Sequence, residues 1–122
     1  MSLYIGLMSG TSLDGVDGVL IDIGAEGTLK LRGHRHEPFV GPLRDELLAL
    51  NRAGSDELRR AALAAQGLAH AYASVVNALL FDTGTVGREV RAIGAHGQTV
   101  RHRPEAGYTI QLINGALLAE LT

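Results

Sequence analysis

Hydrophobic and polar positions along the chain follow a strand pattern first and a helix pattern afterwards. Two apolar runs, residues 3–8 and 16–23, flank a short polar segment, and a third run at residues 28–37 alternates leucines with basic residues. Runs of this length, separated by glycine-rich segments, predict β-strands joined by tight turns. We therefore expect three consecutive strands at the start of the chain.

Helical spacing replaces strand spacing after residue 38. Residues 42–50 place leucines at helical intervals behind Pro42, and proline is typical of a first helical turn. A longer apolar stripe repeats every three or four positions from residue 58 to residue 79, with Ser55 predicted as its N-cap and Gly84 near its end. The alanines on this stripe favour close packing against a sheet.

The last third of the chain returns to strand patterns. We predict a strand at residues 89–95, a loop at residues 96–102, a short strand at residues 108–113 and a helix that begins near Asn114. Strands and helices in this order predict an α/β domain with a packed sheet.

The polar segment between the first two strands has the composition of an anion-binding loop. Gly10 and Gly15 let a ligand approach the backbone closely, and Thr11 and Ser12 add hydroxyl donors. Successive backbone amides in such a turn form a concavity that suits phosphate oxygens. The segment therefore predicts a phosphate-binding loop, and an ordinary glycine-rich hairpin turn stays open as the alternative.

Two carboxylates in this segment suggest a place for a divalent cation. Asp14 and Asp17 could hold hydrated Mg²⁺, which prefers one or two carboxylates together with substrate phosphates. The segment does not match a Walker A loop, because the only lysine, Lys30, lies well beyond it. A Rossmann fingerprint also fails, because a strand and not a helix follows the glycines.

The remaining polar candidates are histidines and one arginine. His34 and His36 stand two apart on a predicted strand and so share one face, for which a solvated surface is the expected role. His96 and His102 flank a polar segment, but neither pair has the spacing of a zinc site. Arg101 could pair with a substrate carboxylate or phosphate, or equally with a structural carboxylate.

Composition narrows the class of protein. A formal net charge of −2 without runs of like charge gives no footprint for nucleic acid. The absence of cysteine excludes a disulfide and a cysteine–zinc site. Neither a leader sequence nor an apolar stretch of spanning length is recognised, so we expect no membrane contact.

Three blocks of sequence carry a family resemblance. They are GLMSGTSLDGVD at residues 6–17, IGAHGQTVRH at residues 93–102, and residues 110–122. Together and in this order they resemble the anhydro-N-acetylmuramic acid kinases, which belong to the acetate/sugar kinase, Hsp70 and actin superfamily. One departure is clear, since Ile113, Asn114 and Gly115 stand where the family usually has glycine, then aspartate or asparagine, then proline.

The resemblance implies a fold and its extent. It implies an RNase H-like (actin-like ATPase) half-domain with a mixed sheet, an N-terminal β-hairpin and packed helices, incomplete at its C-terminus. Residues 1–122 would be the N-terminal part of the first domain, with the fifth strand and the second domain absent. The fourth strand would lie beside the first, which brings residues 96–99 close to residues 10–17. The alternative is that residues 96–98 only cap the strand end.

The resemblance also implies ATP and Mg²⁺ as cofactors and assigns residues to them. The nucleotide phosphates would contact Gly10, Thr11, Ser12, Leu13, Asp14, Gly15, Val16 and Asp17. Mg²⁺ would lie near Asp14 and Asp17. The sugar would contact His96, Gly97, Gln98 and Thr99.

The implied reaction converts 1,6-anhydro-N-acetylmuramic acid to N-acetylmuramic acid 6-phosphate with hydrolytic opening of the anhydro ring. Its setting would be cytoplasmic peptidoglycan recycling, and the full-length protein would be a homodimer. The general base would lie downstream of Thr122, so this chain alone would be inactive. The alternatives are a non-catalytic nucleotide-binding module and a kinase for another sugar on the same fold.

Overall fold

A computed structural model describes residues 2–122; Met1, the first residue of the predicted domain, lies outside the described residues. The fold is α/β with a mixed sheet. The strands are β1 (Ser2–Met8), β2 (Gly15–Ile23), β3 (Leu29–Pro38), β4 (Val90–Ala95), β5 (Gln98–Arg103) and β6 (Tyr108–Leu112). The helices are α1 (Gly41–Ala49), α2 (Glu57–Thr83) and α3 (Gly115–Leu121).

The main sheet has the strand order β3-β2-β1-β4. β1 and β2 form an antiparallel hairpin, β3 adds to β2 in the antiparallel direction, and β4 lies parallel to β1. A parallel neighbour requires a long crossover, which α1 and α2 supply. The prediction of three opening strands and of a fourth strand beside the first is confirmed.

Helix α2 packs against one face of this sheet. Alternate residues of β1, such as Ile5 and Leu7, are buried on that face, and Val75 and Leu79 of α2 are buried against the sheet. A Cβ atom added to Gly18 of β2 would lie 2.5 Å from Val75 Cγ1. A glycine in the strand therefore permits the close approach, in addition to the alanines that the sequence pattern indicates.

The start of α2 differs from the prediction. The helix begins at Glu57, and its N-cap residue is Asp56, which adopts a left-handed conformation at φ 53° without a side-chain cap. Ser55 is not the N-cap, and its carbonyl oxygen accepts a hydrogen bond from Arg60 Nη1 at 3.0 Å. The predicted end is confirmed, because Gly84 closes the helix at φ 63°.

The predicted loop at residues 96–102 is also corrected. Gln98–Arg103 forms strand β5, which pairs antiparallel with β6 in a separate two-stranded sheet. Its sequence QTVRHR contains one apolar residue, so the strand depends on pairing with β6 and not on a local apolar pattern. The final helix starts as predicted, with Asn114 Oδ1 accepting a hydrogen bond from the Leu117 amide at 3.0 Å.

Helix α2 requires one further correction. By length and composition alone, it is the one helix within residues 2–122 that could cross a membrane, although the sequence analysis found no apolar stretch of that length. In its most apolar 18-residue window, 44% of the residues are buried inside the protein. Packing on the sheet accounts for this buried share of the window.

Candidate functional site

Two polar segments meet at one edge of the main sheet. The hairpin loop (residues 9–14) follows β1, and the 96–99 segment follows β4, so both leave the carboxyl ends of neighbouring parallel strands. The His96 amide donates to the Leu7 carbonyl at 3.0 Å, and Gln98 Nε2 donates to the Gly10 carbonyl at 3.1 Å. The predicted convergence of the two segments is confirmed. Ligands of open α/β sheets bind at such an edge.

The hairpin loop is anchored from inside by one apolar side chain. Leu13 is buried although its backbone is left-handed at φ 57°, and its amide donates to the Gly10 carbonyl at 3.1 Å. Thr11 and Ser12 are exposed, and within residues 2–122 their amides donate no hydrogen bond. Burial of Leu13 thus holds the loop with hydroxyls and unpaired amides outward, the arrangement that an anion requires.

Two of the predicted nucleotide-binding residues lie where β2 packs against its neighbours. A Cβ atom added to Gly15 would lie 2.2 Å from the carbonyl oxygen of Glu37 on β3. Val16 is 1% exposed and belongs to the core. These two residues therefore set the position of the hairpin loop, which is a fold requirement that the glycine pattern alone does not reveal.

The 96–99 segment directs most of its groups inward. Gly97 has φ 80°, and an added Cβ would lie 2.5 Å from the Leu112 carbonyl oxygen. Gln98 is 1% exposed, and its Oε1 atom is buried without a hydrogen-bond partner in the described part of the chain. Thr99 is half-buried and accepts a hydrogen bond from Gln111 Nε2 at 3.0 Å. The alternative prediction, in which these residues only cap the end of the fourth strand, therefore holds for part of the segment.

His96 is the exposed side chain of the segment. Its Nδ1 atom lies 3.1 Å from the Gly97 carbonyl oxygen. Because a carbonyl oxygen only accepts, Nδ1 carries the hydrogen, and Nε2 of the neutral ring is an acceptor. The imidazole is thus available to a hydroxyl group of a ligand.

A buried polar contact that sequence reasoning missed joins the two segments to α2. The hydroxyls of Ser9 and Tyr72 lie 2.7 Å apart, and Ser9 Oγ also donates to the Gly97 carbonyl at 3.3 Å. Burial raises the pKa of the Tyr72 phenol, and the Ser9 hydroxyl and the backbone of Gly97 and Ser9 partly offset that rise. The available signal was a phenol within the apolar stripe of α2.

The two predicted magnesium ligands have different surroundings. Asp14 is exposed, and its carboxylate has no hydrogen bond or ion pair within residues 2–122. Asp17 Oδ1 contacts His36 Nδ1 at 3.0 Å and His34 Nε2 at 3.3 Å on the exposed sheet face. The predicted exposure of His34 and His36 is confirmed, but their contacts with Asp17 come from strand register, which pairs Asp17 with His36.

No group of three or more His, Asp or Glu side chains within residues 2–122 has the arrangement of a metal site. Mg²⁺ that shares ligands with phosphates needs only one or two carboxylates, and the unpaired carboxylate of Asp14 fits that requirement. Arg101 has the structural role that was one of its two alternatives. It pairs with Glu57 and donates to the Leu50 carbonyl at 3.1 Å.

An apolar groove lies away from these residues. A groove of about 500 Å³ runs along the outer edge of β4, between α2 and α3. Its lining is mainly apolar and includes Val76, Leu80, Ile93 and Leu118. Since it contains no predicted site residue, the candidate site is the open sheet edge and not this groove.

Comparison with known proteins decides the family. The sequence model of the family described as anhydro-N-acetylmuramic acid kinase matches residues 2–122. The chain belongs to this family. Its membership agrees with the resemblance carried by the three sequence blocks.

Individual anhydro-N-acetylmuramic acid kinases are similar to the chain along almost its whole length. The protein of that name from Variovorax paradoxus is 58% identical over 124 residues, which cover 98% of this chain and 33% of the relative. Those from Bordetella petrii and Bordetella pertussis are 60% and 57% identical over 120 and 126 residues. These alignments cover 98% of this chain and 32% and 31% of the relatives, so the chain spans about a third of their length.

Proposed function

We propose that residues 1–122 form the phosphate-binding part of an ATP-dependent anhydro-N-acetylmuramic acid kinase. The observation that carries this proposal is the hydrogen-bonded convergence of the hairpin loop and the 96–99 segment at the carboxyl ends of β1 and β4. In the proposed reaction, 1,6-anhydro-N-acetylmuramic acid, water and ATP give N-acetylmuramic acid 6-phosphate and ADP. Water opens the anhydro bridge, and the released O6 takes the γ-phosphoryl group.

The hairpin loop is the proposed phosphate contact. Thr11 and Ser12 present hydroxyls and unpaired amides to solvent, and Gly10 leaves room for a phosphate beside the backbone. The other predicted contacts, Leu13, Gly15, Val16 and Asp17, would act by holding the loop. Catalysis of phosphoryl transfer depends mainly on such positioning and on charge stabilisation.

Asp14 is the proposed first carboxylate for Mg²⁺, because its side chain is exposed and unpaired within the described residues. Bound Mg²⁺ would neutralise phosphate charge. Asp17 would bind Mg²⁺ only after its contacts with His34 and His36 break. We therefore propose Asp17 as a secondary ligand to Mg²⁺.

The 96–99 segment is the proposed sugar side of the site. His96 offers its exposed Nε2 atom as an acceptor for a sugar hydroxyl. Gly97, Gln98 and Thr99 would place that imidazole and the strand end beneath the sugar. The segment therefore combines one direct contact with the sugar, from His96, with a rigid support formed by the three residues that follow it.

We further propose that the domain is an RNase H-like, actin-like ATPase half-domain that later residues complete. Within residues 2–122, β4 pairs on one side only, and an apolar groove lies along its other edge. The general base, the second domain and a homodimer contact would also lie in the remaining length of the relatives.

Product mass tests the reaction. The longest gene product that carries residues 1–122 would be given MgATP and 1,6-anhydro-N-acetylmuramic acid, and the sugar product analysed by mass spectrometry. Gain of one water and one phosphoryl group is expected. A phosphoryl group without water would show an ordinary sugar kinase, and no change with retained ATP binding would show a nucleotide-binding module.

A matched pair of variants tests the phosphate contact. Ser12→Ala removes a hydroxyl from the hairpin loop, and Ser55→Ala removes one from an exposed turn before α2. We expect the KM for ATP to rise about tenfold in Ser12→Ala, a typical loss for one charge-assisted hydrogen bond. Ser55→Ala should keep the original KM. Equal values in both variants would remove Ser12 from the site.

The role of the later residues has its own test. Purified residues 1–122 should form no phosphorylated sugar under conditions in which the longer gene product does. Their unpaired β4 edge should favour self-association, which light scattering would detect. Product formation by residues 1–122 alone would refute the downstream general base.

The cellular setting, cytoplasmic peptidoglycan recycling, predicts accumulation of the anhydro sugar when the gene is deleted.

A further inference from the structure

A chain of hydrogen bonds runs from the core to the candidate site. Ser9 Oγ lies 3.3 Å from the Gly97 carbonyl oxygen, which accepts when the Ser9 hydrogen points to it. The hydroxyl of Tyr72 lies 2.7 Å from Ser9 Oγ, and either oxygen can donate in that contact. All three groups belong to buried residues. These contacts thus link Tyr72 through Ser9 to Gly97, whichever way their hydrogens point.

The Gly97 carbonyl, the last group in this series of hydrogen bonds, lies between the phosphate side and the sugar side of the site. Gly97 O accepts from Ser9 Oγ and also from His96 Nδ1 at 3.1 Å, so it orients the exposed imidazole. One residue further on, Gln98 Nε2 donates to the Gly10 carbonyl and holds the hairpin loop. Moving Gly97 would therefore move His96 and, through Gln98, the loop.

We propose that Tyr72, a residue of α2 without access to solvent, is a positioning residue that sets the distance between the phosphate side and the sugar side of the site. The inference rests on the proposed function and adds to it a residue outside every motif that identifies the family blocks. Tyr72 acts through Ser9 and the Gly97 carbonyl. It touches neither proposed substrate.

The chemistry of the contact distinguishes positioning from packing. Tyr72→Phe keeps the buried ring and removes only the hydroxyl that contacts Ser9 Oγ. Ser9 then keeps only its 3.3 Å contact with the Gly97 carbonyl, and the polar link between α2 and the 96–99 segment is lost. Misplacement of reacting groups by fractions of an ångström lowers turnover without removing any binding contact.

A double-mutant cycle in the longest gene product that carries residues 1–122 tests this inference. Tyr72→Phe, Ser9→Ala and the double variant would be compared with Tyr108→Phe, which removes a phenol hydroxyl from the exposed face of β6. We expect kcat to fall about tenfold in each single variant, with KM for ATP and sugar changed less than twofold. The double variant should lose no more than the singles, because both act through one chain of hydrogen bonds. Tyr108→Phe should keep the original kcat.

Two results would overturn the inference: an unchanged kcat in Tyr72→Phe, or losses that multiply in the double variant. If the unsubstituted protein shows no turnover, the proposed function fails, and amide hydrogen exchange decides the inference separately. Exchange in Tyr72→Phe should then quicken together at the hydrogen-bonded amides of the two segments, Leu13 in the hairpin loop and His96 in the 96–99 segment, with β3 unchanged as an internal control. Quickening in neither or in only one segment would contradict the coupling. Should Tyr72→Phe not fold, Ser9→Ala provides the same readout.

Discussion

The hairpin loop and the 96–99 segment meet at one sheet edge, yet the loop has three exposed residues, Thr11, Ser12 and Asp14, whereas the 96–99 segment has one, His96. The loop buries Leu13 and leaves Thr11 and Ser12 in solvent. The 96–99 segment buries Gln98 and leaves His96 in solvent. The difference indicates a division of labour, in which one segment contacts ligand through several groups and the other mainly fixes the geometry.

The glycines of the two segments show the same contrast. A Cβ atom on Gly10 would meet only Ser12 Oγ, at 3.9 Å, whereas a Cβ atom on Gly97 would lie 2.5 Å from the Leu112 carbonyl oxygen. Gly97 also has φ 80°, a conformation that costs other residues energy. Gly10 is thus a glycine with space for a ligand, and Gly97 is one that the fold requires.

The largest effect is expected from exchanging these glycines for alanine. Gly97→Ala should lower the free energy of unfolding by about 3 kcal/mol, because it combines a left-handed backbone with a clash against a carbonyl group. Gly10→Ala should change it by less than about 0.5 kcal/mol. Urea denaturation of both variants measures the difference. Similar losses in the two variants would break the contrast between the segments.

The buried anchor of the hairpin loop should give the next largest effect. Leu13→Ala removes most of a buried side chain and should lower the free energy of unfolding by about 2 kcal/mol. Ser12→Ala, one residue away and exposed, should leave stability within about 0.5 kcal/mol. Thermal and urea unfolding of the two variants would check this. A stable Leu13→Ala variant would show that the loop needs no internal anchor.

The buried phenol that joins the segments should make stability depend on alkaline pH. The pKa of Tyr72 is raised by burial in the folded state, so the folded protein holds this proton to higher pH than the unfolded chain does. The contribution of this proton to the free energy of unfolding is complete below the ordinary phenol pKa of about 10, which applies to the unfolded chain. It is lost as the pH rises through the higher pKa of the folded state. The slope is at most about 1.4 kcal/mol per pH unit.

Urea denaturation at pH 9 and at pH 11 measures this loss. Tyr72→Phe should show a smaller decrease between the two pH values than the unsubstituted protein. Tyr108→Phe, which alters an exposed phenol, should show the same decrease as the unsubstituted protein. Identical decreases in all three proteins would show that ionisation of the Tyr72 phenol does not contribute to the pH dependence of the free energy of unfolding.

The smallest effect concerns the charged group that follows the 96–99 segment. Arg101→Met should lower the free energy of unfolding by about 1 kcal/mol, because it removes the pair with Glu57 and the bond to the Leu50 carbonyl. Arg103→Met, whose side chain is 48% exposed, is the matched control and should have no measurable effect. The KM for sugar should stay unchanged in both variants. A raised KM in Arg101→Met alone would show that Arg101 contacts the substrate, the other alternative from the sequence.

The sequence predicted those features that short-range patterns encode. Period-two and helical spacing placed the first three strands and α2, because burial on one face repeats locally. The prediction did not extend to β5, whose residues carry no apolar pattern, or to Asp56 as the N-cap residue of α2, whose left-handed backbone depends on the turn before it. The first correction comes from pairing with β6, which the residues of β5 do not encode, and the second from the turn at Ser55, whose carbonyl accepts from Arg60 Nη1.

By itself, the sequence determined the α/β order of elements, the family and the polar loop between β1 and β2. Only the tertiary structure decided that Gln98 faces inward, that Tyr72 reaches Ser9, and that Asp17 is held by histidines. The reason is separation along the chain. The Tyr72–Ser9 pair spans 63 residues and the Gln98–Gly10 bond spans 88, so these partners become neighbours only when β4 and α2 pack against β1.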